Sequence, residues 1–229
     1  MDTSQLLHTN KQYEEELRGL RAGLLKMGGL VERQIADAME ALVKRDTPLA
    51  RQVITQDEEV NRLDLETDET CIRLLALHQP AGSDLRFITT GLKITTDLER
   101  IGDNAVNIAE RVIELNEEPQ LKPYIDLPRM SEIAQSMVKD SIDAFMRADT
   151  ALADEVISRD DEVDGLNQQV YRELLSYMAE DPHTIRRATR ILFISKYLER
   201  IADHATNIAE MVTFMVKGKI IRHMDRKKE

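Results

Sequence analysis

Glu99 and Asp103 stand four residues apart, and so do Glu199 and Asp203, one hundred positions further along the chain. Residues four apart on a helix lie about 40° apart on one face, so each pair presents two carboxylates to one space. The segments ahead of them carry related pairs: Asp160 with Asp164 in the later part, and Asp57 with Asn61 in the earlier part, where an amide replaces one acid. Two such pairs on neighbouring helices would offer four oxygen-bearing side chains, which suits Mg²⁺, Mn²⁺, Ca²⁺ or iron. No Cys or His completes a zinc-like set. Ion pairing with Arg100 and Arg200 is the competing use of the same acids. Acidic residues fill 42 of 229 positions, so about seven or eight acidic i,i+4 pairs arise on any helical chain of this composition, and one pair alone carries little weight.

Duplication supplies the weight. Leu98–Val112 aligns with Leu198–Val212, and eleven of the fifteen pairs are identical. Leu98, Ile101, Ala105, Ile108 and Val112 follow three-four spacing and predict a seam that faces other helices. A core accounts for those five. It does not account for Glu99, Asp103, Asn107 and Glu110, which fall within about 80° of one another nearly opposite the seam. The flanks have drifted, with Gly91-Leu92-Lys93 set against Ile191-Leu192-Phe193. The duplicated face therefore reads as functional. Its metal candidates are Glu99, Asp103, Glu199, Asp203, Asp160, Asp164 and Asp57, and its partner-binding candidates are Arg100, Asn107, Glu110, Arg200, Asn207 and Glu210.

Catalysis finds less support. There is no nucleophile–base–oxyanion constellation and no Gly-rich phosphate loop. Ser195 has no sequence-visible partner. Glu180-Asp181-Pro182-His183 has the Glu-x-x-His spacing of di-iron helices, but its proline makes it a helix joint. His204, where the first copy has Asn104, reads as a surface or inter-helix histidine before a ligand. An exposed acidic face has no dry cleft to tune general acids, so the chain is read as not an enzyme, with a metal-dependent enzyme or metal-storing bundle as the alternative.

Composition sets the remaining bounds. The net charge is −11, aromatics are 4 % and Trp is absent, which argues against nucleic acid as a partner. The basic end (Lys217, Lys219, Arg222, Arg226, Lys227, Lys228) reads as a solvated terminus. Cys71 is the only cysteine and is expected in the core, without disulfides. No secretory signal pattern and no run of eighteen apolar residues occurs, so a cytoplasmic protein without a transmembrane segment is expected.

The elements that position these residues are long helices. Leu17, Leu20, Leu24, Met27, Val31, Ile35, Ala38 and Leu42 keep helical spacing in the first. Thr47-Pro48 reads as an N-cap followed by proline, opening a second that carries Leu49, Val53, Val60, Leu63, Leu74 and Leu77. Gln79–Ser83 breaks the chain, with Ser83 the expected cap of a third helix running to about Asn116. Glu117–Pro128 holds three prolines and reads as a linker. Ile133, Met137, Ile142 and Phe145 mark a fourth helix, Asp149-Thr150 repeats Asp46-Thr47 to open a fifth, and Asp181-Pro182 caps a sixth. The expected architecture is all-α, two tandem antiparallel three-helix bundles, 1–118 and 125–229.

At these motifs the sequence resembles the PhoU family. Asp97-Leu98-Glu99-Arg100-Ile101-Gly102-Asp103 with Asn107-Ile108-Ala109-Glu110, and Tyr197–Glu210, are similar to its two signatures, and Pro80-Ala81-Gly82-Ser83-Asp84-Leu85-Arg86 is similar to the stretch ahead of the first. The resemblance spans roughly Leu17 to Val216. It implies a PhoU-like fold and a role in damping the phosphate-starvation response when phosphate is plentiful. The partners it implies are the ATPase subunit of a phosphate ABC transporter and a membrane sensor histidine kinase, with a homodimer as the expected assembly. Some members hold multinuclear metal on paired E(D)-x-x-x-D motifs, which match Glu99/Asp103, Glu199/Asp203 and Asp160/Asp164; Asn61 departs from that pattern. Magnesium, manganese or iron would be the expected ions.

Overall fold

Apolar residues at three-four spacing give six helices: α1 Thr3–Lys44, α2 Thr47–His78, α3 Gly82–Asn116, α4 Asp126–Arg147, α5 Thr150–Glu180 and α6 Ile185–Lys217, with a 3-10 turn at Pro182–Thr184 leading into α6. The structure is a computed structural model that describes residues 3–218, with side chains from residue 11. The basic tail beyond Lys217 that the sequence singles out therefore lies outside the described residues. Among the described residues there is no strand, and no helix is long and apolar enough to cross a membrane.

All eight seam residues of α1 are buried, as are Leu98, Ile101, Ala105, Ile108 and Val112 of α3 and their counterparts Leu198, Ile201, Ala205, Ile208 and Val212 of α6. Cys71 is buried in the same core, and burial pushes its thiol up to about 12; it is a packing residue, not a reactive one. Leu77, expected inside α2, is 64 % exposed instead, because the buried stripe runs through Cys71 and Leu74 to His78, whose ring packs on Tyr13 of α1.

Helices α1–α3 pack against one another, and α4–α6 do the same. The two units join along α3 with α6 and α1 with α4. Phe87 of α3 stacks on Phe145 of α4 with ring centroids 4.7 Å apart. Arg190 of α6, almost fully buried, donates to Glu114 of α3 at 2.7 Å and to Glu118 of the linker at 2.6 Å.

The starts of the helices differ in detail from expectation. Asp46, not Thr47, caps α2: its carboxylate accepts from the Leu49 amide at 2.9 Å, while the Thr47 hydroxyl accepts from Asn116. An aspartate one residue earlier reaches the same orphan amides as an acceptor, with its charge at the positive end of the helix. Asp149 caps α5 in the same way. Ser83 is not a cap, because α3 already begins at Gly82, preceded by Ala81 without a capping side chain. Gly82 has φ +59°, a turn conformation that glycine adopts without steric penalty. Asp181 accepts from the His183 amide and opens the 3-10 turn, and α4 begins at Asp126, two residues before the last proline of the linker.

Candidate functional site

The acids of the first half meet where α2 faces α3. Asp57 sits one helical turn above Asn61, whose amide donates to its Oδ2 at 3.0 Å. From α1, the Gln34 amide donates to Asp57 Oδ1 at 3.2 Å. Gly102 makes that approach possible, since an added Cβ would lie 2.9 Å from Asp57 Oδ1 and 3.3 Å from Gln34 Oε1. Burial raises the Asp57 carboxyl, against the Gln34 bond, and Asp103 raises it further. Burial likewise raises Glu99, reinforced by Asp103, Asp64 and Asp57. These carboxylates feel one another, although Arg100 touches Glu99 at 3.3 Å and Asp103 at 2.9 Å. The expected competition with Arg100 is thus present, but Arg100 is mostly exposed and does not cancel the crowding.

In the second half the partner changes. Lys196, rather than Arg200, takes Glu199, at 2.6 Å. Burial and then Glu199 raise Asp164. Burial and then Glu199 also raise Asp203, partly offset by Lys196. Asp160 lies on the same stretch of α5, half-buried. Of the other candidates, Glu110 is exposed beside Arg111 at 3.3 Å, Asn107 and Glu210 are half-buried, and Asn207 turns away toward α3, where its amide meets Asp97 at 3.4 Å. His204 is an inter-helix histidine, with Nδ1 2.8 Å from Asp97 Oδ1. Ser195 has the partner the sequence could not supply: its hydroxyl donates to Asn167 Oδ1 at 2.7 Å, a structural bond inside the bundle.

Periodicity reaches some of what was missed. Asp64 is seven residues from Asp57 and therefore on the same face, and that spacing is a usable signal. Gln34 leaves none, because nothing in its own segment points to α2.

Whether these residues fit a cation turns on two observations. Among the described residues no three His, Cys, Asp or Glu side chains are gathered into one metal-holding group. In the first half, however, Gln34 is 2 % exposed and its Oε1 is buried without a hydrogen-bond partner. A buried carbonyl oxygen left unpaired is costly, and here it faces the same space above Gly102 as Asp57. Oxygen donors with excess negative charge and one orphaned carbonyl suit a hard cation. In the repeat register Met137 and Ala202 replace Gln34 and Gly102, so the second half holds its acids without the carbonyl.

With the two acidic clusters placed at the same register of both halves, comparison with known proteins becomes informative. The profile of the PhoU domain matches residues 24–112 and 127–212. The chain belongs to the PhoU family. It is 44 % identical over 222 residues to a phosphate-specific transport system accessory protein PhoU homolog of Pseudomonas putida, covering 96 % of this chain and 87 % of that one. The crystal structure of PhoU from Pseudomonas aeruginosa superposes with a TM-score of 0.87 at 44 % identity, over 90 % of this chain and all of the other. The phosphate transport system regulatory protein PhoU from Streptococcus pneumoniae gives 0.86 at 32 % identity, over 91 % and 99 %. The PhoU-like all-α fold expected from the signatures is the fold of this chain.

Proposed function

We propose that this PhoU family member is a regulatory accessory protein of phosphate-specific transport. In this reading it damps phosphate uptake and the phosphate-starvation response by linking the transporter's ATPase subunit to a membrane sensor histidine kinase. Relatives along the whole chain carry accessory or regulatory names, and long rigid helices suit an adaptor better than a catalyst. The observation that carries the reading is the acidic patch repeated outside the core seam, Glu99/Asp103 in one half and Glu199/Asp203 in the other. The protein works as a homodimer at the cytoplasmic face of the membrane; among the described residues no helix is long and apolar enough to span it. Capture of the two partners by wild-type protein, and by Glu99→Ala/Asp103→Ala and Glu199→Ala/Asp203→Ala variants, tests this, with a phosphate-responsive reporter as the second readout. Unchanged capture and unchanged repression in the variants would refute the role of these patches.

The same carboxylates hold divalent or iron cations in this reading. Asp57, Glu99 and Asp103, with the Gln34 carbonyl, serve the first half, and Asp160, Asp164, Glu199 and Asp203 serve the second. A bound cation supplies charge neutralisation there, while the protein residues fix its position. The orphaned Gln34 oxygen favours this assignment. Metal analysis of purified wild-type protein against the two double variants checks it, and metal content independent of these residues would dismiss it.

A further inference from the structure

The two halves repeat their acids but not the surface beside them. In the second half a groove of about 400 Å³ runs between α5 and α6, walled by Tyr171, Thr189, Leu192 and Phe193. Tyr171 is 52 % and Phe193 47 % exposed, large apolar groups left facing solvent. The Phe193 ring stacks on Tyr197 with centroids 6.3 Å apart, which holds that wall in place. Leu175 and Ile185, also exposed, lie one turn further along the same two helices and extend the apolar stretch to about 12 Å, a little over two helical turns.

The other end of the groove is acidic. One turn from Gln168 along α5 comes Asp164, then Asp161; past Lys196 along α6 come Glu199 and Asp203. Lys196 lines the groove and is drawn onto Glu199, so a single lysine faces four carboxylates. The surface is therefore apolar at one end and net negative at the other. In the repeat register the first half has Asp68 and Lys93 where Tyr171 and Phe193 stand, and Lys93 is turned onto the Phe214 ring, 5.8 Å from its centroid. The aromatic groove belongs to one half alone.

We propose that the α5–α6 groove is a docking site for an amphipathic helix of a partner protein, with apolar anchors at helical spacing followed by a basic cluster that takes the place of a cation over Asp164, Asp161 and Asp203. An aliphatic stripe of a little over two turns fills the Tyr171–Phe193 wall, aromatic side chains on a concave surface are the residue types that dominate such contacts, and the basic end is selected by charge complementarity. The proposal deepens the adaptor reading and rests on it for the source of the helix. It also makes the two halves unequal: the first exposes aliphatic side chains such as Ile72 and Leu85 at the equivalent positions but has no aromatic wall, whereas the second sets its acids beside one.

The repeat supplies the test variant, Tyr171→Asp/Phe193→Lys, which installs residues that the same fold already holds at the equivalent positions, Asp68 half-buried and Lys93 exposed. The probe is a synthetic amphipathic helix with three leucines at helical spacing and three arginines at its C-terminal end, with a control in which glutamates replace the arginines. Wild-type protein is expected to bind the arginine peptide, with affinity falling as salt rises, and to bind the glutamate peptide at least about tenfold more weakly. The double variant is expected to lose about tenfold or more toward the arginine peptide, while its thermal unfolding stays like wild type. No binding by wild type, equal binding of the two peptides, or equal binding by the variant overturns the proposal. Loss of self-association in the variant, measured by sedimentation, with no change in peptide binding assigns the groove to a second copy and also overturns it. Partner capture separates the two levels. If wild type captures neither transporter ATPase nor sensor kinase, the adaptor reading fails; if both proteins capture equally, only the groove assignment fails.

Discussion

His204 Nδ1 lies 2.8 Å from Asp97 Oδ1, and this contact ties α6 of the second half to α3 of the first. Asp97 also accepts from Asn207, so one carboxylate in the first unit receives two side chains from the second signature. Both His204 and Asp97 are mostly buried. Removing the acceptor leaves two partly buried donors unpaired, which costs more than removing either donor. Asp97→Ala is expected to destabilise by about 2 kcal/mol and His204→Ala by about 1 kcal/mol. Denaturant unfolding measures both, and a double-mutant cycle gives the coupling. Equal losses from the two single variants would show that Asn207 takes no part.

Arg190 is the second tie between the units and the more deeply buried one. Its guanidinium meets Glu114 and Glu118 at once, while both carboxylates remain about a third exposed. Truncating one partner of such a pair leaves charge uncompensated in a poorly solvated place. Arg190→Ala is expected to cost about 2–3 kcal/mol, discounted from a fully buried triad because water reaches the glutamates. Arg190→Lys recovers only part, since a single ammonium cannot span both acids in one geometry. Urea unfolding of the three proteins, compared at equal slope, tests this; a full rescue by lysine would contradict the two-pronged role.

Much of this architecture is legible in the sequence, for identifiable reasons. The seam of α3 shows because Leu98, Ile101, Ala105, Ile108 and Val112 repeat with the period of the helix they build, and repetition in α6 doubles the signal. The capping aspartates repeat as well, yet Asp46 and Thr47 are adjacent and both competent, so sequence alone chose the wrong one of two neighbours. Contacts between distant elements leave no such trace. Asp97 and His204 lie more than one hundred residues apart, and no periodicity links them. Gln34 meets Asp57 only because α1 happens to cross α2 beside Gly102. The acids are visible as types, and so is the change of partner, since Lys196 stands three residues before Glu199 where the first copy has Thr96.

Acid pH acts on the clusters with a definite sign. Burial, with repulsion among neighbours added, raises Asp57 and Glu99 above the ordinary carboxylate range in the folded chain. The folded state therefore binds more protons than the unfolded one between the ordinary and the raised values, and stability falls as pH rises through that window. The contribution is complete below the ordinary carboxylate pKa and gone above the raised one. Glu99→Gln removes the repulsion at neutral pH and is expected to raise Tm at pH 7 in metal-free buffer by about 1–2 °C, whereas Asp57→Asn also sets an amide NH2 against one of the two donors Asp57 accepts, Gln34 or Asn61, and is expected to gain less. The gain should vanish as pH falls below the ordinary carboxylate range, where the group is protonated in the folded and the unfolded chain alike. Thermal scans across pH read this directly, and a gain that persisted in acid would point to packing instead of charge.

Gly102→Ala separates the fold from the cation. Alanine is the better helix former by about 1 kcal/mol, but its Cβ would stand 2.9 Å from Asp57 Oδ1 and 3.3 Å from Gln34 Oε1. Both are ends of flexible side chains and can swing aside, so the propensity gain and the displacement offset each other and stability should change by less than about 1 kcal/mol. Swinging aside, however, separates the two oxygens that face one space. Calorimetric titration of the metal-free protein with Mn²⁺ is expected to show the first-half site weakened about tenfold or more, with the second-half site unchanged, because Ala202 already fills that register there. Gln34→Met, which copies Met137, should weaken the same site without introducing a clash. If Gly102→Ala weakens binding and Gln34→Met does not, the geometry of Asp57 governs the site and the Gln34 carbonyl is no ligand; if neither alters Mn²⁺ binding, the cation lies elsewhere.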